Sequence, residues 1–249
     1  MIERHAGRAV ALLFALPIAA LVVRAVADQW RAPALVPQRL GLRGLDAALE
    51  AGAAFAGSLA VALVATGAAI AIGWPAARVL GERRLRRPGL VFLLLAMPLL
   101  VTPYATGAGL TEWFIRLGLA GTLPGLVLAH LVLVLPYVVV VLLSGFGARV
   151  SELEEMARTF GASPLRRLAW VTLPSVRATL AAAALLGFLV SWSQYGSSLA
   201  VGAGRPMLPL VLLPFVRTDP QVAAALALLF LAPALVALAV ATRASRSPL

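Results

Sequence analysis

Few side chains in this 249-residue chain can do chemistry: ten acids, 21 arginines and two histidines, with neither cysteine nor lysine. The lack of cysteine excludes disulfides, thiolate metal sites and a thiol nucleophile. His5 and His130 stand too far apart in sequence to read as a ligand cluster. No G-x-x-x-x-G-K-[ST] run is present to cradle nucleotide phosphates. Two stretches remain. Ser191-Trp192-Ser193-Gln194-Tyr195-Gly196 sets hydroxyl, indole, amide and phenol groups into an otherwise apolar run, offering hydrogen bonds but no charged ligand partner. Residues 147–177 instead gather Arg149, Glu152, Glu154, Glu155, Arg158, Arg166, Arg167 and Arg177 around an apolar periodicity.

The elements that must hold these stretches are membrane helices. Hydrophobic residues make up 61% of the chain and charged ones 12%, against about 25% charged in a soluble domain. Mean hydropathy is +0.96. The net charge of +11 is scattered in short clusters rather than along one basic face, so nucleic acid is not an expected partner. Six uncharged runs cover Ala9–Val23, Ala51–Ala77, Pro88–Thr111, Leu117–Ala148, Ala178–Gly204 and Pro220–Thr242. About 20 residues of helix cross the hydrocarbon core, and five runs meet that length outright. The first reaches it if Arg24 snorkels at its end. Backbone hydrogen bonds must close internally in lipid, and no strand alternation suits a barrel, so the fold class is all-α with six transmembrane helices. Gly118–Gly125 is expected to form an outer turn leading into the fourth helix. Prolines 17, 75, 98, 103, 136 and 233 should bend the helices.

Arginine placement orients the chain. With the N-terminus inside, 14 arginines fall on the cytoplasmic side and seven on or near the outer side, so both termini are expected in the cytoplasm. Glu82-Arg83-Arg84-Leu85-Arg86-Arg87 is the strongest anchor. Residues 1–27 resemble a cleavable signal peptide ending at Ala25-Val26-Ala27, but Arg24 beside that site and the polytopic body favour a retained helix. Asp28–Glu50 is locally neutral. It reads either as a spacer or as a segment laid on the outer surface through Leu40, Leu42 and Leu45. The domain division is thus 1–50, an N-terminal helix with its outer segment, and 51–249, a five-helix core carrying the cytoplasmic loop at 147–177.

That loop is far longer than a helix connection needs. Leu153, Met156, Ala157 and Phe160 recur at helical spacing, Ser151 and Glu154 fit a capping box, and Glu154 is spaced to pair with Arg158. Gly161 supplies a stop. Ser163-Pro164 opens a second short helix, and Pro174 is expected to end the unit. Two short helices of this kind suit docking into a groove of a soluble partner; an amphipathic hairpin resting on lipid is the alternative.

Glu155-Met156-Ala157, three residues, Gly161, nine residues, then Val171-Thr172-Leu173-Pro174 resembles the EAA loop of permease subunits in binding-protein-dependent ABC importers. Met156 stands for the first Ala of that motif and Val171 for its Ile. Leu135-Pro136-Tyr137 and Gly57-Ser58-Leu59 also look like that family, although Gly57 stands where an Asn is common. The likeness runs over about Ala51–Ala241. It implies a MetI-like transmembrane fold and a coupling loop that meets a cytoplasmic ABC ATPase dimer. Glu155, Ala157, Gly161, Ala162, Pro164, Leu173 and Pro174 would be its contact and shape residues. A second permease subunit, expected to be a different chain, and a periplasmic substrate-binding protein complete the implied complex. ATP hydrolysis would reside in the partner, so this chain is not expected to be an enzyme or to hold a cofactor or metal.

The resemblance implies a small-molecule substrate. Leu199–Pro214 looks most like the spermidine/putrescine branch, making polyamine the leading expectation, with thiamine, ferric iron and phosphonate as alternatives. Trp192, Gln194 and Tyr195 are candidates for the translocation pathway; Ser191, Ser193 and Gly196 suit helix packing. Two rival functions are an ion-coupled secondary transporter, disfavoured by the lack of charge inside the spans, and a non-transporting scaffold.

Overall fold

The computed structural model describes residues 2–82 and 87–246, with side chains of His5, Leu13 and residues 15–82 and 87–245. Residues 83–86 of the basic anchor, and the side chains of Arg4, Arg8 and Arg246, lie outside the described residues. The described chain is helical apart from one short hairpin. Helix α1 (Ile2–Ala25) leads to strands β1 (Ala27–Gln29) and β2 (Arg39–Leu40), antiparallel with Ala27 opposite Leu40. Then come α2 (Arg43–Glu50), α3 (Gly52–Gly81), α4 (Pro88–Ala96), α5 (Pro103–Arg116) and α6 (Leu123–Leu143). The loop contains α7 (Ala148–Thr159) and α8 (Pro164–Arg167). Last are α9 (Leu173–Trp192), α10 (Gly196–Val201), α11 (Leu208–Thr218) and α12 (Pro220–Arg246).

Among the described residues four helical stretches are long and apolar enough to cross a membrane: Gly52–Gly81, Leu123–Leu143, Pro164–Trp192 and Pro220–Ser245. A fifth span is broken. Helix α4 with its 3-10 extension to Leu100 meets α5 at a bend of 99°. Pro98 and Pro103 remove two backbone donors around the bend, and Thr102 caps α5, its Oγ1 accepting from the Ala105 N–H at 3.4 Å. With the 24-residue α1, this architecture is compatible with six spans. The fifth apolar run also differs from one straight helix. Its span begins earlier, at Pro164, and stops at Trp192; Ser193–Tyr195 is non-helical before α10.

The chain divides into two compact units. One comprises Met1–Gly57 and Pro206–Pro233. Here Arg43 reaches the Asp219 carboxylate, Gln221 Oε1 at 3.3 Å and Asp28 at 3.7 Å. Asp219 also accepts from the Val222 N–H at 3.3 Å, capping α12 just before Pro220 as its sequence position suggests. Buried Gln221 donates to the Gly41 carbonyl at 2.8 Å, and Ala25, Ala224 and Ala225 form a small apolar cluster.

The other unit comprises Ser58–Arg205 and Ala234–Leu249. Its core is built on α3, α6 and α9 from Ala69, Ala77, Leu80, Val134, Val138, Val139, Leu142, Val176 and Ala183, with Phe146 just beyond α6. Trp74 stands edge-on to Phe146 with centroids 5.0 Å apart. A satellite cluster of Phe114, Ala129 and Val201 joins α5, α6 and α10. Large apolar side chains such as Leu63, Val64, Ile72, Leu93, Leu94, Val236 and Val240 remain exposed, as residues facing lipid must.

Candidate functional site

Helix α7 starts at Ala148, one turn earlier than the Ser151 cap implies, with Gly147 as its N-cap and no side-chain cap. The capping box therefore does not form. Ser151 lies inside the helix, where its N–H already bonds the Gly147 carbonyl at 3.2 Å. This frees Glu154 for another role. Its carboxylate is buried, accepting from the Arg78 guanidinium at the end of α3 and from the Thr172 hydroxyl just before α9. Arg78 also donates through Nε to Glu82 at 2.9 Å. The expected Glu154–Arg158 pair is replaced by Glu155–Arg158, at 3.1 Å on the exposed side. One carboxylate thus ties α7 to the ends of two membrane helices.

Gly161 ends α7 in a left-handed conformation, φ +78°. The Ala162 N–H bonds the Ala157 carbonyl at 3.0 Å and the Gly161 N–H bonds Arg158 at 2.9 Å, the paired bonds of a Schellman stop. A Cβ on Gly161 would meet nothing within 4 Å, so glycine is favoured here by φ rather than by space. Ser163 then caps α8, its Oγ accepting from the Arg166 N–H at 3.4 Å, with Pro164 at the first turn. Pro174 does not end the unit. Residues Leu168–Thr172 form a π-helical turn, with the Leu173 N–H reaching back to the Leu168 carbonyl, and the helix runs on through Pro174 to Trp192. The wider turn makes room for a proline ring that would press on the Trp170 carbonyl in an unbroken α-helix.

Val150 packs against the core, but several large apolar side chains of this loop are left exposed. Met156 is 56% exposed, Phe160 87%, Leu165 78% and Trp170 81%. Glu155 and Pro164 are exposed too, whereas Ala157 and Ala162 are half-buried. Beside the loop a cleft of about 720 Å³ opens between residues 144–153 and 170–179, with Arg149 and Arg177 among its lining. An exposed apolar patch of this kind on a folded, anchored loop suits contact with a protein partner or with the membrane surface.

The pathway candidates lie around the α9–α10 break. Trp192 is buried and stacks on Phe188 at 5.8 Å; Gln194 is buried, and Tyr195 is about a third exposed. The Ser197 hydroxyl donates to Gln194 Oε1 at 3.3 Å, and Ser198 donates to the Gln194 carbonyl at 2.7 Å. Ser191 and Ser198 both contact the ring of His130 on α6. Sequence reasoning passed over His130, although a lone imidazole in a long uncharged run was the available signal. It gave Glu154 only local roles, in the capping box and the pair with Arg158, and missed its link to Arg78 and Thr172, which no spacing rule makes. Among the described residues no cluster of His, Cys, Asp and Glu could hold a metal ion.

No protein-family model matches the chain. It is 33% identical over 170 residues to a putative ABC transporter permease protein, ORF1, of Streptomyces antibioticus, covering 65% of this chain and 72% of the relative. It is 31% identical over 203 residues to the molybdenum transport system permease protein ModB of Mycobacterium tuberculosis, covering 75% and 77%. Over 213 residues it is 26% identical to a putative 2-aminoethylphosphonate transport system permease protein, PhnV, of Salmonella typhimurium, covering 84% and 79%. Its fold is similar to a chain of a bacterial ABC transporter that imports the acidic polysaccharide alginate. That match has a TM-score of 0.72 at 15% identity and covers 97% of this chain and 94% of the other.

Proposed function

The chain belongs to the permease subunits of ABC transporters, and from that premise we propose that it forms half of an importer's membrane pore, driven through residues 147–177 by a separate cytoplasmic ATPase. The observation that carries this reading is the two-sided build of the loop. One side is bound to the ends of α3 and α9 through Glu154, while the other presents Met156, Phe160 and Leu165 to solvent. A surface anchored in this way passes a push from a docked partner to two membrane helices together. Glu155, Ala157, Gly161, Ala162, Pro164, Leu173 and Pro174 carry the contact and shape of the loop; Trp192, Gln194 and Tyr195 carry the pathway. Residues 51–249 form the permease core, and 1–50 add a helix and an outer segment.

The multi-pass chain sits with both termini in the cytoplasm, on the strength of its arginine asymmetry. An ATPase dimer, a second permease of different sequence and an external substrate-binding protein complete the complex. For the substrate, polyamine loses ground. None of the relatives described above is named for it, and the uncharged spans offer no acid to a cation. Phosphonate, one of the alternatives, is supported by the name of PhnV, and molybdenum travels in neutral water as an oxyanion. The substrate class proposed is therefore a small oxyanion. Calorimetry on the binding protein encoded beside this chain, with molybdate, 2-aminoethylphosphonate and spermidine, decides it; tight binding of spermidine alone restores the polyamine assignment.

The coupling role is tested at Gly161. A β-branched residue at φ +78° is strained by about 1–2 kcal/mol or more, while Asn accepts this conformation. Gly161→Val should reach the membrane yet lose ATPase co-purification and binding-protein-stimulated hydrolysis in vesicles, and Gly161→Asn should keep both. Full association and stimulation by Gly161→Val would overturn the coupling role. Loss in both variants at normal membrane levels would mean that the ATPase approaches Gly161 too closely for any side chain.

A further inference from the structure

His130 takes no part in the coupling loop, yet both of its ring nitrogens are engaged beside the pathway candidates. Its Nδ1 lies 2.9 Å from Ser191 Oγ, near the end of α9, and its Nε2 lies 2.9 Å from Ser198 Oγ in α10. All three side chains are at most 1% exposed. The protonation pattern follows from the partners. The Ser198 hydroxyl gives its proton to the Gln194 carbonyl at 2.7 Å, so its oxygen is left to accept from the ring. A neutral ring therefore carries its proton on Nε2, and its bare Nδ1 accepts from the Ser191 hydroxyl. The hydrogen bonds run one way, from Ser191 through His130 and Ser198 to the Gln194 carbonyl.

A histidine inside a membrane span is by default a candidate for proton movement. This chain of bonds ends on a peptide carbonyl, which cannot hand a proton on, so its work is positional. It grips α9 before the break and α10 after it, and its terminus is the backbone of Gln194 itself. We propose that His130 is a positioning residue that clamps the two sides of the α9–α10 break and so fixes where Gln194 and Tyr195 stand. The importance of that position for transport rests on the pathway reading given above; the clamp itself does not.

Because the chain has no cysteine, Gln194→Cys supplies a single thiol whose maleimide labelling reads the break directly in membranes containing the full complex. The native side chain is 9% exposed, so labelling should be slow. Adding His130→Ala should speed it about tenfold, the scale of one net hydrogen bond, and Ser191→Ala or Ser198→Ala should each give a smaller rise. His130→Gln, whose amide can donate to Ser198, should restore most of the slow rate. With Gln194 native, His130→Ala should lower kcat for transport at unchanged half-saturating binding protein, and His130→Gln should recover it. Labelling rates unmoved by His130→Ala and by both serine variants, at normal membrane levels, would overturn the clamp. Faster labelling with unimpaired transport would keep the clamp and remove Gln194 from the pathway.

Discussion

A buried carboxylate that receives both a guanidinium and a hydroxyl takes a partner from each when it is removed, even where the donors keep a second acceptor, as Arg78 does in Glu82 and Thr172 in the Arg167 carbonyl. Glu154 is in that situation, with Arg78 and Thr172 converging on it from two membrane helices. Breaking a fully buried pair from one side costs about 3–5 kcal/mol, but the Arg78 side chain keeps 35% of its exposure and water offsets part of the loss. Glu154→Ala and Arg78→Ala should each destabilise the purified chain by about 1–2 kcal/mol, and the double variant by less than their sum. Thermal unfolding of the four proteins in detergent measures this; strict additivity would mean that the pair contributes nothing. Glu155 behaves differently, since its carboxylate is 69% exposed and its bond to Arg158 spans a single helical turn. Such a pair is worth about 0.3–0.5 kcal/mol. Glu155→Ala should leave unfolding unchanged and weaken only ATPase co-purification; a drop in stability as large as that of Glu154→Ala would refute this division of roles. In the pathway, Gln194→Leu removes the acceptor of the Ser197 hydroxyl and all amide hydrogen bonding to a solute. Uptake should fall at normal membrane levels, and unchanged uptake across a concentration series would make Gln194 a packing residue.

At the scale of elements, the two broken helices meet each other. Helices α5 and α10 approach so closely that a Cβ on Gly107 would lie 2.9 Å from Ala200 Cβ, and one on Gly196 would lie 2.7 Å from the Tyr104 nitrogen. The Thr111 hydroxyl adds a bond to the Ala200 carbonyl at 3.2 Å. Small residues that let backbones touch are a common device for helix association in lipid. Gly196→Ala, although one methyl larger, must therefore push α10 off α5 and should destabilise by about 1–3 kcal/mol, visible as a lower Tm and faster proteolysis near residue 196. A wild-type melting curve for Gly196→Ala would show that the contact has slack. A bend at Pro98 and Pro103 was expected, but neither its right angle nor the α9–α10 break was legible beforehand, because uncharged runs such as Pro88–Thr111 and Ala178–Gly204 report apolar length and carry no mark of direction. Pro98, Pro103 and the Ser193–Tyr195 stretch were visible, but a proline alone does not distinguish a bend from a right-angle turn. The loop was more legible. Gly161, Ser163 and Pro164 follow local rules of helix ends that act within a few residues, and they hold the positions those rules assign. Glu154 with Arg78 was not, since 76 residues separate them and only the folded bundle brings them together. The capping box at Ser151 failed for a related reason: α7 begins at Ala148, just after its Gly147 N-cap, so the local cap competes with a helix already under way.

For the whole molecule the open quantity is its direction in the membrane, and the lack of cysteine makes that directly measurable. Arg149, Arg158, Arg166, Arg167 and Arg177 cluster around the loop, while Arg116 and Arg205 belong to the opposite set of connections. Moving arginines across a bilayer during insertion is unfavourable, so the richer set should stay in the cytoplasm. Two positions report the two sides. Trp113 is 63% exposed on α5 in the segment assigned to the outer side, and Ser151 is half-buried on α7. An impermeant maleimide added to intact cells or spheroplasts should label Trp113→Cys and spare Ser151→Cys, and permeabilisation should expose Ser151→Cys. The same orientation puts the apolar surface of Met156, Phe160 and Leu165 where a cytoplasmic ATPase can reach it. Added ATPase should therefore slow Ser151→Cys labelling in permeabilised membranes and leave Trp113→Cys untouched. Labelling of Ser151→Cys from outside intact cells would reverse the topology and, with it, remove the loop from the compartment in which ATP is hydrolysed.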